Sequence, residues 1–245
     1  GDLKARVSGY YTRIYDQSKV ISYYDDVAST YTNFAMSGID KLHFGLEAAV
    51  SIPLYKTLFL NGAVSWGQYT YDSNPYYVQT QDNSQLLISS GRVYWKDFRV
   101  ESTPQTAVNV GLSYRSNNNI YLSADFNYYN NMYLSMNPIY RSDAVLTAGA
   151  TPASIAELRH QEKFDSAYTL NASVGKNWYI HRKYTLGFSL EVKNILNNQD
   201  IRTGGYEQMR LRENEETTST TYEKFDSKYF YMFGTTYYLN VYFRF

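Results

Sequence analysis

Apolar and polar residues alternate along most of this chain, and that period of two restricts what it can fold into more than any other feature. In Tyr184-Thr-Leu-Gly-Phe-Ser-Leu-Glu-Val-Lys193 one side carries Tyr184, Leu186, Phe188, Leu190 and Val192, and the other carries Thr185, Gly187, Ser189, Glu191 and Lys193. Successive side chains of a strand point to opposite faces, so this pattern predicts a strand with one apolar and one polar side. Seven further segments read the same way: residues 3–15, 39–53, 56–72, 104–115, 119–132, 167–180 and 233–245. Their apolar sets include Val7 and Tyr11, Leu46 and Val50, Leu60 and Val64, Val108 and Val110, Leu122 and Phe126, and Leu170 and Val174. The last segment sets Phe233, Tyr237, Leu239, Val241, Phe243 and Phe245 against Thr236, Asn240 and Arg244.

The connections between these strands sharpen the reading. Three are short, around residues 53–57, 116–118 and 181–183, and four are long, 16–38, 73–103, 133–166 and 198–228; short and long alternate strictly. A compact water-soluble domain rarely needs four long structureless connections. A bacterial outer-membrane β-barrel does, with tight periplasmic turns on one rim and long extracellular loops on the other. Lipid offers the backbone no hydrogen-bond partners, so spanning strands must pair with one another. The polar faces hold Lys4, Arg6, Glu47, Asp125, Glu191 and Lys193. Such charges are unfavourable between two packed sheets and cost little against a watery lumen. A soluble sandwich could turn them to solvent, so they favour the barrel without excluding the alternative. The expected fold is all-β, a transmembrane antiparallel β-barrel with about eight strands over residues 1–245.

Composition fits. Aromatic residues make up 18% of the chain and tyrosine alone numbers 28; such rings suit both strands and membrane interfaces. The formal net charge is zero, which gives no basic footprint for nucleic acid. Cysteine is absent, which removes disulfides, thiol catalysis and thiolate metal sites. No run of about 18 apolar residues offers a membrane-spanning helix, and this says nothing against spanning strands.

Three blocks in the C-terminal third carry a family resemblance. They are Val192-Lys-Asn-Ile-Leu-Asn-Asn198, Thr203-Gly-Gly-Tyr-Glu-Gln208, and Lys228-Tyr-Phe-Tyr-Met-Phe-Gly234 running into a terminal strand that ends Tyr242-Phe-Arg-Phe245. Together they resemble TonB-dependent outer-membrane receptors, particularly those of Bacteroidota. Upstream, Ser102-Thr-Pro-Gln105 and Glu162-Lys-Phe-Asp165 look like the same group. The resemblance implies the last eight strands of a 22-stranded barrel whose lumen is plugged. It implies active nutrient uptake, with outer-membrane lipids, the TonB complex, the receptor's own plug domain and the barrel assembly machinery as partners. A surface lipoprotein lid stays open as a further partner. Tyr237, Leu239, Val241, Phe243 and Phe245 resemble the signal read by the insertion machinery. Neither plug nor TonB box is visible in these residues. Gly1-Asp2-Leu3-Lys4 has no initiator Met or export signal and already reads as strand, so the segment is expected to belong to something longer.

No catalytic, metal or cofactor site is expected. His43, His160 and His181 have neither triad nor metal-helix spacing and read as surface or lumen histidines. Asp25-Asp26 could be set beside His160 on paper, as could pairs in any chain of this length. Gly204-Gly205 reads as a loop pivot, not a phosphate cradle. The stretch Glu213-Asn-Glu-Glu216 followed by Thr217-Thr-Ser-Thr-Thr221 reads as solvated loop, with a cation or ligand contact as the minority reading. Tyr76, Tyr77, Tyr94 and Trp95 in the second long connection, and Tyr206 in the fourth, are candidate ligand contacts, because exposed rings stack on apolar ligand faces. Loop packing or interfacial anchoring is the competing explanation.

Two other classes remain. Eight strands can close on themselves, giving a self-contained outer-membrane barrel with a structural or adhesion role; pairing of residues 3–15 with residues 233–245 would mark it. An enzyme would require histidine and carboxylates converging at one rim.

Overall fold

The computed structural model describes residues 2–26, 28–84, 86–147, 152–181, 183–214 and 221–245. It is an all-β, antiparallel structure with little helix. Its strands are β1 (Lys4–Asp25), β2 (Thr30–Tyr55), β3 (Leu58–Tyr71), β4 (Tyr76–Gln81), β5 (Leu87–Arg92), β6 (Thr106–Arg115) and β7 (Ile120–Asn130). Helices α1 (Asp143–Leu146) and α2 (Pro152–Arg159) follow, then β8 (Ala167–Ile180), β9 (Tyr184–Lys193), β10 (Arg202–Tyr206), β11 (Leu211–Asn214), β12 (Thr221–Lys224), β13 (Lys228–Tyr231) and β14 (Thr236–Arg244). No helix among the described residues is long and apolar enough to cross a membrane.

All eight segments expected from the alternation are strands. They form one antiparallel meander in the order β1-β2-β3-β6-β7-β8-β9-β14. Register decides whether their faces agree, since a slip of one residue would turn a strand inside out. They agree across the sheet. Val7, Ala48, Val64, Val108, Tyr128 and Tyr168 form one continuous row of cross-strand partners. Leu58, Tyr114, Leu122, Val174, Leu190 and Leu239 form another. The opposite face carries rows such as Ser51, Asn61, Gly111, Asp125 and Asn171. Val7, Leu46, Val110, Leu122, Leu239 and Val241 of the apolar face are all exposed. Among the described residues the buried hydrophobic clusters lie in the long connections and the strand ends next to them.

Two glycines on the polar face let a neighbouring ring lie flat on the sheet. A Cβ at Gly175 would overlap the Tyr121 ring, and one at Gly187 would lie 2.5 Å from the Tyr242 ring. Tyr121 and Gly175 are direct cross-strand partners, as are Tyr242 and Gly187. Only glycine permits so close an approach.

The long connections are not structureless, which corrects the expectation for them. The first is a continuation of the β1–β2 hairpin, which runs on to Asp25 and Thr30. The second supplies β4 and β5, which add to the upper half of β2; the third supplies the helices, and the fourth the small ladders β10–β13 and β11–β12. The main buried core lies here, built from Phe34, Met36, Tyr71, Tyr77, Trp95, Ile139, Tyr140 and Leu158 among others. Gly38, with φ +73°, interrupts the alternation of β2: below it His43 and Lys41 share the polar face, and above it Met36 and Phe34 turn into the core. Tyr71 follows Tyr69 and Gly67 on the polar side of β3. The connections therefore pack as a roof over the polar side, and the apolar side is left uncovered.

Among the described residues β1 pairs only with β2, and β14 only with β9. Among the described residues the sheet therefore has two free long edges and no closing pair.

Candidate functional site

Polar side chains concentrate on the polar face of the sheet and in the roof above it. A depression of about 320 Å³, floored by alanines such as Ala49, Ala63 and Ala107, is bordered by Arg6, Ser8, Glu47, Ser65, Asn109 and Asn127 and spans five neighbouring strands. Around it, neutral side chains are tied across the strands: Asn109 donates to Asn127 at 2.9 Å, Ser51 to Asn61 at 2.8 Å, and Asn61 to Ser113 at 3.0 Å. Tyr10 lies across Gly45 and Gly67 and shares a 2.5 Å hydrogen bond with Tyr69. These bonds leave amides, hydroxyls and a few charges, interspersed with alanines, on the polar face.

The roof is fixed by a buried ionic cluster. Arg141 donates to both oxygens of Glu207, at 2.6 and 3.0 Å, and to the carbonyls of Asn137 and His160. Lys224 donates to Glu207 at 3.0 Å and to the His160 carbonyl, and the Asn137 N–H donates to Glu207 at 2.7 Å. The third and fourth long connections are thus joined around one carboxylate. Burial acts to raise the Glu207 pKa, but the hydrogen bonds and charge of Arg141, with Lys224, outweigh it and hold the carboxyl below its ordinary value. Burial also pushes the Tyr140 hydroxyl up to about 12, and that hydroxyl shares its one proton between the carbonyls of Arg210 at 2.7 Å and Gln208 at 2.9 Å. At the tip of the β1–β2 hairpin, Arg210 grips both oxygens of Asp26 at 2.9 Å and lowers that carboxyl's pKa. Three of the four long connections are linked by these contacts. The sequence marked Glu207 only as part of the block 203–208 and gave no sign of its partnership with Arg141, Asn137 and Lys224, because the two ends of the central pair lie 66 residues apart.

The candidate ligand contacts separate. Tyr77 and Trp95 are each 1% exposed and belong to the roof core. Tyr77 stacks on Phe34 at 4.5 Å and Trp95 packs on Tyr71 at 4.7 Å, leaving neither a free ring face; their assignment as ligand contacts is corrected. Tyr94 is half-buried and donates to Asp143 at 2.7 Å. Tyr76 and Tyr206 remain open, 47% and 46% exposed, and Tyr206 lies 6.0 Å from the exposed Phe230 ring. Tyr237, Leu239, Val241 and Phe243 share one exposed face of the edge strand β14, with Phe245 just beyond its end. Residues 215–220 of the acidic, hydroxyl-rich stretch lie outside the described residues.

Asp25, Asp26 and His160 each engage other partners. Asp26 is held by Arg210, Asp25 accepts from Gln79 at 2.6 Å, and His160 serves the cluster through its carbonyl. Among the described residues no group of three or more His, Asp or Glu side chains could hold a metal ion.

Comparison with protein-family models, with curated proteins and with solved structures gave no match.

Proposed function

We propose that this chain is part of the wall of a TonB-dependent outer-membrane receptor, supplying lumen surface and four extracellular loops for active nutrient uptake. The observation that carries the reading is the agreement of faces across eight strands. One side is apolar, exposed and uncharged over most of its height; the other is polar and roofed by the long connections. A sheet in water would bury its apolar face. Lipid is the medium in which this face can stay open. Dimensions agree: at about 3.4 Å per residue, the twelve steps from Tyr168 to Ile180 cover about 41 Å along β8. A strand tilt of about 45° reduces this to about 29 Å, close to the roughly 25 Å apolar band of such barrels. Tyr128 and Tyr168 stand at one end of that band and Trp178, Tyr184 and Phe243 at the other, as interfacial aromatics do.

In this reading the polar face lines the lumen, the depression beside Arg6 and Glu47 meets a plug or a passing solute, and the roof covers the outer mouth. The chemistry is binding and gating. The free edges of β1 and β14 favour a segment of a larger wall over a self-contained eight-stranded barrel. The test is the gene itself together with gel migration. A plug domain and TonB box encoded upstream of Gly1, with heat-modifiable migration of the protein, are expected. An open reading frame without them, in a protein whose migration ignores heating, would overturn the proposal.

A further inference from the structure

Lys176 interrupts an otherwise uncharged surface. Its cross-strand partners are Ile120 and Phe188, with Val241 next in the same row, so it stands on the apolar face. Below the level of Arg13, it is the one charged side chain on that face among the described residues. Its ammonium lies 5.2 Å from the centre of the Trp178 ring, one row nearer the short-turn end. Beyond it the rows are aromatic: Trp178 pairs with Leu186 and then Phe243, and Tyr184 stacks on Phe243 at 5.7 Å. Lys183, at the turn, lies 5.2 Å over the Tyr184 ring.

A lysine in an apolar face is unfavourable unless its head reaches a polar layer or an anion. Leaning over Trp178 carries this ammonium toward the belt where rings meet headgroups. No carboxylate shares the face at that depth among the described residues, so the chain supplies no counter-charge there. An indole N–H is a donor without acceptor capacity, and an ammonium is likewise donor-only. Both groups can only donate, so an oxyanion at the headgroup level is the acceptor chemistry they fit.

We propose that Lys176 and Trp178 bind the phosphate of an anionic phospholipid at the short-turn edge of the apolar face. Charge selects the occupant. A zwitterionic headgroup brings its own ammonium to compete for the phosphate, whereas an anionic one leaves the phosphate to Lys176. The proposal rests on the membrane reading above, and goes beyond it by naming a lipid and the residues that hold it.

The test is quenching of Trp178 fluorescence by brominated lipids, with the protein reconstituted in vesicles of phosphatidylcholine and phosphatidylglycerol. Trp178→Phe identifies the Trp178 contribution. At equal mole fraction, brominated phosphatidylglycerol should occupy the site about fivefold more than brominated phosphatidylcholine, the factor that one lysine near an anionic surface carries. Lys176→Arg should keep this preference and Lys176→Met should abolish it, while both variants retain heat-modifiable migration. Equal quenching by the two lipids in the unaltered protein, or a preference that survives in Lys176→Met, would overturn the lipid site and leave the membrane reading standing. Quenching of Trp178 by neither lipid would overturn both.

Discussion

The guanidinium of Arg141 and the carboxylate of Glu207 meet through two hydrogen bonds, 2.6 and 3.0 Å long, with both side chains buried. Removing one partner strands the other as an uncompensated buried charge, an effect of about 3–5 kcal/mol. Arg141→Met should therefore loosen the third and fourth long connections together, without disturbing the eight-stranded wall. Amide hydrogen exchange should accelerate in residues 133–147 and 198–210 and stay unchanged in β6 to β9. Confinement of the faster exchange to one connection would contradict the joint role of the pair.

Acid should act on the same point. The Glu207 pKa is lower in the folded protein than its ordinary value, so the folded state binds fewer protons there than the unfolded state. The stabilisation is then fully present above the ordinary carboxylate range and is lost as pH falls through the folded value. Protease sensitivity of the roof should rise with acidification through and below that range, and Glu207→Gln should flatten the dependence. An unchanged pH profile in Glu207→Gln would assign the acid sensitivity to other groups.

Gly175 and Tyr121 form a joint in the wall. Any side chain at position 175 would occupy the space of the Tyr121 ring, whose hydroxyl donates to the Phe188 carbonyl at 3.2 Å. Gly175→Ala should destabilise by about 1–3 kcal/mol, the usual range for overpacking. The same substitution in a Tyr121→Ala background should cost much less, a coupling that a double-mutant cycle reads directly. Additive effects would mean that the ring and the glycine are independent.

Asn194 sets the position of the last strand. It sits at φ +51° just after β9, and its amide nitrogen donates to the carbonyls of Asn198 and Phe233. Its own carbonyl accepts from the Thr235 hydroxyl. These contacts hold the chain immediately before β14, where Thr236 pairs with Lys193. Asn194→Ala should lower stability by about 2–3 kcal/mol through unsatisfied buried groups and backbone strain. The temperature at which the compact gel band disappears should fall, while the exposed neighbour Ile195→Ala leaves it nearly unchanged. Equal shifts in the two variants would remove the clamp from the account.

How much of this could be read from the sequence follows from where periodicity operates. The wall was legible because its rows keep strict alternation, as in residues 184–193, and register preserves that alternation from β1 to β14. The roof was not. Phe34, Met36, Tyr77, Trp95, Ile139 and Leu158 come from three connections and share no period, so their common burial is a tertiary fact. Tyr77 and Trp95 looked like free aromatic surface for that reason. The single residue Gly38 reverses which side chains of β2 turn toward the roof, and a pattern read along one strand gives no warning of it. Asn194 and Asn198 were visible as a block, whereas their attachment to Phe233 and Thr235 required the fold.

The central claim is that one face of the wall meets lipid and the other meets water. The chain contains no cysteine, so single cysteines placed along β8 can each carry a nitroxide label in the reconstituted protein. Labels at Leu170, Ala172 and Val174 should be relaxed strongly by oxygen and weakly by a water-soluble nickel chelate, with the reverse at Asn171, Ser173 and Asn177. That alternation, two residues in period, is the expected result. Uniform access of the nickel chelate to all six positions would place both faces in water and contradict the account.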